Sequence, residues 1–159
     1  MGAPPELIEF DPDVPSHVVE RIRQLAQSHD GWVNMQPIVD EQDVPQTSVG
    51  LLGWVSAKGP AVPEATWVPG EQKRSGAVTP DSIGLQHRGG PKARLTLADA
   101  GLPIPPGWRI LSDHPKRGLV LELPDGTDPD AIVDWLVRAA KTLSPIDLPD
   151  RWVATVHRR

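Results

Sequence analysis

Apolar residues recur at helical spacing between positions 18 and 26 and predict an amphipathic helix. Asp13 or Ser16 can cap its start, and Gly31 is expected to end it. The apolar residues form one stripe, which predicts that one side of the helix lies on a core: Val18, Val19, Ile22, Leu25 and Ala26. Residues 1–15 precede the helix, and their prolines indicate an irregular lead.

A second helix is predicted after Thr127 or Asp128, either of which can cap it, with Pro129 in its first turn. Acidic residues come early in this segment and Lys141 comes late, as the helix dipole favours. The apolar residues cover more than one stripe: Ile132, Val133, Trp135, Leu136, Val137, Ala139, Ala140 and Leu143. This pattern indicates a helix packed against a sheet and against a further element, so Trp135 is expected to be buried.

Short stretches that contain Val or Trp and are bounded by Gly or Pro predict strands in the rest of the chain. Residues 107–112 and 118–123 flank the short link 113–117 and indicate an antiparallel hairpin. The other predicted elements are strands over 32–39, 48–57, 65–68 and 152–156, a short helix near 95–100, and a loop over 70–82. Together they predict a single α+β domain over residues 1–159, in which two main helices form one layer on a mostly antiparallel sheet.

Composition narrows the class of protein. The chain of 159 residues has no cysteine, which excludes disulfides, cysteine-ligated metal centres and thiol catalysis, so a cytoplasmic location is expected. No stretch approaches the roughly eighteen apolar residues that a membrane span needs, and no membrane partner is expected. The sequence contains no phosphate-loop, dinucleotide, nucleophile-elbow or zinc-helix motif, and we expect neither a cofactor nor a metal.

The net charge of −5 is unevenly distributed along the chain. Residues 1–45 carry nine acidic and two basic side chains, whereas residues 46–159 carry twelve acidic and fourteen basic ones. The overall acidity argues against nucleic acid as a partner, but the clustered bases of the second part still allow a local anion site.

Two short basic segments, residues 86–92 and 113–118, carry the candidate chemistry. Each places a histidine beside cationic side chains in a loop, where backbone N–H groups and positive charge suit an anion. The residues expected to bind the anion are Arg88, Lys92, Lys116 and Arg117, with Arg94 as a further charge. We therefore expect a binding or interaction protein whose ligand is a phosphate-bearing metabolite or an acidic protein segment, held between both loops.

Other interpretations remain open. A hydrolase or phosphoryl-transfer enzyme would use His114 or His87 as general base and Asp113 to orient the imidazole. Arg88 and Arg117 would then hold an oxyanion. A protein-interaction module would use exposed tryptophans among the six of the chain, and the sequence also permits a homo-oligomer. Finally, both basic segments have the composition of ordinary solvated turns.

One part of the sequence resembles known proteins. The residues Gly107-Trp-Arg-Ile-Leu-Ser-Asp-His-Pro-Lys-Arg-Gly-Leu-Val-Leu-Glu-Leu123, followed by Asp134-Trp135-Leu136, resemble small actinobacterial proteins. This resemblance covers roughly the C-terminal half of the chain. It implies no particular activity.

Overall fold

The structure is a computed structural model, and it describes residues 3–40 and 62–159. Its elements in chain order are β1 (Glu6–Phe10), α1 (Ser16–Ser28), β2 (Trp32–Pro37), β3 (Glu64–Val68), β4 (Ser82–Gln86), α2 (Ala93–Asp99), β5 (Arg109–His114), β6 (Gly118–Glu122), α3 (Pro129–Leu143) and β7 (Trp152–His157). The seven strands of these described residues form one sheet in the order β1-β7-β2-β3-β4-β6-β5, and all neighbouring strands are antiparallel. The predicted α+β domain with a mostly antiparallel sheet is confirmed.

One face of the sheet carries the core, because buried and less buried side chains alternate along the central strands. In β7, for example, Trp152, Ala154 and Val156 are buried and belong to the same apolar cluster as the buried residues of the helices. We call this side the helix face. The opposite face holds half-buried side chains such as Trp32 and Asn34.

The two main helices turn their predicted stripes toward the core. α1 buries Val18, Val19, Ile22 and Leu25. In α3, the Asp128 carboxylate caps the first turn by accepting a hydrogen bond from the Asp130 N–H at 3.1 Å. The broad buried surface of α3 is explained by its contacts with the sheet and with both α1 and α2, and Trp135 is buried as predicted. None of the helices in the described residues is long and apolar enough to cross a membrane.

Two strands, β1 and β4, differ from the sequence-based expectation. β1 lies within residues 1–15, which are therefore not an irregular lead throughout. Among the described strands it pairs only with β7, at the edge of the sheet, so most of its side chains are exposed and the alternation that signals a strand is missing. β4 begins at Ser82, where the predicted loop over 70–82 ends. The predicted strand over 48–57 lies outside the described residues.

The end of α1 also differs from the expectation. The helix stops at Ser28, and His29 takes the left-handed conformation of the cap with φ of 55°. Its N–H donates to the Leu25 carbonyl at 2.8 Å. Gly31 has a different role: its φ is 138°, and a Cβ at this position would overlap with the carbonyl oxygen of His157 on β7. Glycine is needed here for close approach rather than to end the helix.

Candidate functional site

The two basic segments lie side by side because the strands that lead into and out of them are neighbours. β4 ends at Gln86, β6 begins at Gly118, and Leu85 pairs with Leu119. Continuing this antiparallel register past the ends of the strands places His87 opposite Arg117. The loops over residues 87–92 and 113–117 therefore meet at one end of the sheet.

Asp113 joins the two loops directly. Its carboxylate accepts hydrogen bonds from the backbone N–H groups of Ala93 at 2.9 Å and Arg94 at 3.2 Å, at the start of α2. Lys92 occupies the N-cap position with φ of 60° and makes no side-chain cap, so Asp113 of β5 supplies the cap from another element. The backbone donors that begin α2 are thus already bound to an anion of the chain itself.

The structure does not bring the Asp113 carboxylate to the His114 imidazole. Successive residues of a strand point to opposite faces of the sheet, and these two residues both belong to β5. His114 is exposed, and its Nδ1 accepts a hydrogen bond from the Lys116 N–H at 3.1 Å, which stabilises the turn between β5 and β6. The arrangement in which Asp113 orients His114 as a general base is therefore not assembled.

His87 is a buried histidine beneath these loops, with 1% of its surface exposed. Its Nδ1 accepts a hydrogen bond from the Gly89 N–H at 3.0 Å, which assigns the ring proton of the neutral form to Nε2. Within the described residues Nε2 has no hydrogen-bond partner. Burial lowers the pKa of His87, and the nearby negative charge of Asp113 opposes this shift. His87 is thus a neutral core residue. Its Nδ1, the ring nitrogen that could take up a proton, already accepts a hydrogen bond, which does not suit a general base.

We expect His87 to make the stability of the protein depend on pH. Its pKa in the folded chain lies below the value of about 6.5 for an unfolded histidine, so acidification protonates the unfolded chain first. The free energy of unfolding should therefore fall as the pH decreases from about 7.5 to about 5.5, with a contribution from His87 of at most about 1.4 kcal/mol per pH unit. Urea denaturation across this range measures the slope.

The matched variant for this prediction is His87→Asn. The asparagine side-chain oxygen can still accept the hydrogen bond from Gly89, whereas the titrating ring is gone. The slope of stability against pH should become shallower in the variant, whatever its absolute stability. Equal slopes in the two proteins would contradict the assigned neutral state of His87.

Four exposed cations surround this pair of loops and form no ion pair within the described part of the chain; we call them the basic surface: Lys92, Arg94, Lys116 and Arg117. Seven other basic side chains do pair with carboxylates: Arg21, Arg23, Arg109, Arg138, Lys141, Arg151 and Arg159. Arg88, which was expected to bind the anion with them, is half-buried. The end of the sheet at these loops thus carries positive charge that neighbouring carboxylates do not neutralise.

Three clefts formed by described residues lie elsewhere. The largest of the three has a volume of about 410 Å³ and is bordered by residues 38–40, 147–149 and 151. Two smaller ones lie beside β1, one of them lined by Glu6, His17 and Arg21. None of the three includes a residue of the basic surface, which is therefore a set of exposed side chains on loops outside these clefts.

The tryptophans serve mainly the core. Trp67 and Trp152 are fully buried, and Trp135 is 5% exposed. Trp32 and Trp108 are half-buried, and each is in contact with another ring. Trp54 lies outside the described residues. A surface of exposed tryptophans, as in the interaction-module hypothesis, is not formed by the five that the structure describes.

The sequence pattern did not indicate that two apolar residues beside the basic surface are exposed. Ile110 and Leu111 in β5 are 36% and 50% exposed. A signal was available, because two adjacent apolar residues in one strand cannot both face the same core. In the structure a β-bulge between Ile110 and Ser112 interrupts the pairing with β6 at this point.

Comparison of the chain with protein-family models, with curated proteins and with solved structures finds no match in any of the three.

Proposed function

We propose that this protein is a binding protein that holds an acidic segment of a partner protein on its basic surface. The observation that carries the proposal is that four cations without an ion pair in the described residues, Lys92, Arg94, Lys116 and Arg117, lie together on two adjacent loops, whereas seven other basic side chains are paired. Adjacent cations without counter-charges repel one another, and an anionic partner relieves that repulsion.

An extended acidic segment fits this surface better than a small phosphate-bearing molecule. Loops that hold phosphate do so largely with free backbone N–H groups, but those of Ala93 and Arg94 already bind Asp113. The remaining donors are exposed side chains, and a single exposed ion pair contributes only about 0–1 kcal/mol. Useful affinity therefore requires several contacts at once, which a chain of carboxylates provides.

The enzymatic alternatives gain less support from the geometry. The Nδ1 lone pair of His87 accepts from Gly89, and that of His114 accepts from Lys116. Asp113 is bound to the start of α2. General-base catalysis needs a basic atom within reach of the substrate proton, and these side chains are engaged in holding the loops instead.

The proposal predicts that reversing two charges of the basic surface weakens binding of an acidic probe. We expect Lys116→Glu combined with Arg117→Glu to reduce the affinity for a fluorescein-labelled oligoglutamate about tenfold or more, since each lost or inverted contact costs up to about 1 kcal/mol. Binding by the parent protein should weaken between about 50 and 300 mM sodium chloride. Fluorescence anisotropy measures both effects.

A matched control is available at the other end of the sheet. Lys73 and Arg74 are likewise an adjacent pair of exposed cations, in the turn between β3 and β4, and form no ion pair within the described residues. Reversing both of them changes the net charge equally and should alter the affinity less than about twofold. Equal losses in the two double variants would show that only net charge matters. Binding of inorganic phosphate without binding of oligoglutamate would favour the small-molecule alternative.

A further inference from the structure

The strand next to the basic surface, β5, is an edge of the sheet. It pairs with β6 on one side, and no strand of the described residues pairs with it on the other. Edge strands are commonly protected from further pairing by an outward lysine, a proline or an inward charge. β5 contains neither lysine nor proline, its one arginine, Arg109, is held by Glu122 at 3.0 Å, and its one carboxylate, that of Asp113, is bonded to the start of α2.

Apolar side chains lie along this free edge. Ile110 and Leu111 are exposed although both belong to β5, and exposed apolar residues on an unpaired strand indicate a surface for a partner. The bulge between Ile110 and Ser112 bends the strand locally. A further strand can therefore pair regularly with only a short stretch of β5. This limit protects the edge from nonspecific pairing with other chains.

The two edges of the sheet differ in their charged side chains. Lys116 and Arg117 lie in the turn after β5, and the Arg94 N–H is bonded to Asp113 of β5, so cations flank this edge. At the other edge, Glu6 and Glu9 of β1 form ion pairs with Arg21 at 2.9 Å and with Arg151 at 3.1 Å. An acidic strand is thus attracted by the unpaired cations beside β5 and finds no such cations in the ion pairs of β1.

We infer that the acidic segment binds as an additional strand on the free edge of β5. Its backbone pairs with the exposed N–H and C=O groups of that strand, its apolar residues contact Leu111, the more exposed of the two apolar residues, and its carboxylates contact the basic surface. The partner is therefore a short extended segment of another protein in which acidic and apolar residues alternate. This inference rests on the proposed function and adds the mode of binding to it.

Two probes separate strand addition from simple charge attraction. One is a peptide of about eight residues that alternates glutamate and valine, and the other alternates glutamate and proline, which has the same charge but no N–H at every second residue. We expect the valine peptide to bind about tenfold more tightly than the proline peptide. On binding it should slow amide hydrogen exchange in Arg109–His114 and leave the exchange of β1 unchanged.

Leucines at the two edges supply a matched pair of variants. Leu111→Ala should lower the affinity for the valine peptide about threefold or more. Leu7→Ala, at the exposed leucine of β1, should change that affinity less than about twofold.

The outcomes distinguish the two proposals. If the two peptides bind equally and the reversal at Lys116 and Arg117 weakens both, the basic surface binds acidic chains but strand addition is wrong. If neither peptide binds, both proposals are wrong. If the protein associates with itself, and Glu6→Lys with Glu9→Lys abolishes that association, the occupant of the edge is β1 of a second copy and the inference of a separate partner is overturned.

Discussion

Replacement of Trp135 by alanine is expected to lower the free energy of unfolding by about 3–5 kcal/mol. The indole is 5% exposed within the apolar cluster, and its ring meets that of Trp108 edge-on with centroids 5.4 Å apart. Its Nε1–H donates to the Pro103 carbonyl at 3.3 Å. The variant therefore loses the burial of the ring and leaves a cavity between α3 and the segment that leads from α2 to β5. Urea denaturation followed by circular dichroism measures the loss.

Trp32→Ala provides the comparison for this prediction. Trp32 is a half-buried residue of β2 whose ring stacks on His157 with a centroid distance of 4.6 Å. It lies outside the main core, so its removal should cost about 1 kcal/mol. Similar losses in the two variants, or an unchanged midpoint for Trp135→Ala, would refute the central place of Trp135 in the core.

Gly118→Ala is expected to destabilise the protein by about 3 kcal/mol, because it forces apart the two strands that bring the basic loops together. Gly118 begins β6 with φ of 75°, and a Cβ there would overlap with the backbone carbonyl oxygen of Leu85 on β4. Backbone atoms of paired central strands cannot move away as a flexible side chain can. The variant should also bind the oligoglutamate probe less well, since the distance between the two loops increases.

Gly126→Ala is the control for Gly118→Ala. It separates the effect of the steric contact at Gly118 from the effect of the left-handed backbone conformation, which both glycines share. Gly126 has the same φ of 75°, but nothing lies within 4 Å of the position that its Cβ would take. Alanine there meets only the cost of the left-handed conformation, about 1 kcal/mol. The difference in stability between the two variants measures the steric conflict at Gly118, and a difference near zero would show that β4 and β6 are less tightly joined at this point than the structure indicates.

The elements predicted correctly are those whose signals are local. α3 has its cap, its dipole charges and its apolar stripe within one segment, so no distant residue is needed to recognise it. β1 and β4 lack such signals. β1 is an exposed edge strand, and β4 is only five residues long and contains a glycine, a residue that is depleted in strands. The place of β1 in the sheet is determined by pairing with β7, which lies far away in the sequence.

For the candidate site, too, the sequence predicts what depends on local residues but not what depends on pairing between strands. The sequence was sufficient to single out both basic segments by composition, but not to show that they are adjacent, since this follows from the pairing of β4 with β6. The burial of His87 could not be predicted because β4 was not recognised as a strand. His87 follows the buried residues Ile83 and Leu85 of this strand at a spacing of two, so it faces the same side. Recognition of β4 would have identified His87 as a core residue.

The position of β7 in the sheet has a consequence for how the chain is made. β7 is the last strand along the chain, yet it lies between β1 and β2, the first two. On the ribosome, β1 emerges before the other described strands, and its partner among them is complete only when Trp152–His157 has been synthesised. The nascent chain therefore carries β1 unpaired while the residues between β1 and β7 are added, and this part of the sheet closes late, through contacts between strands far apart in the sequence.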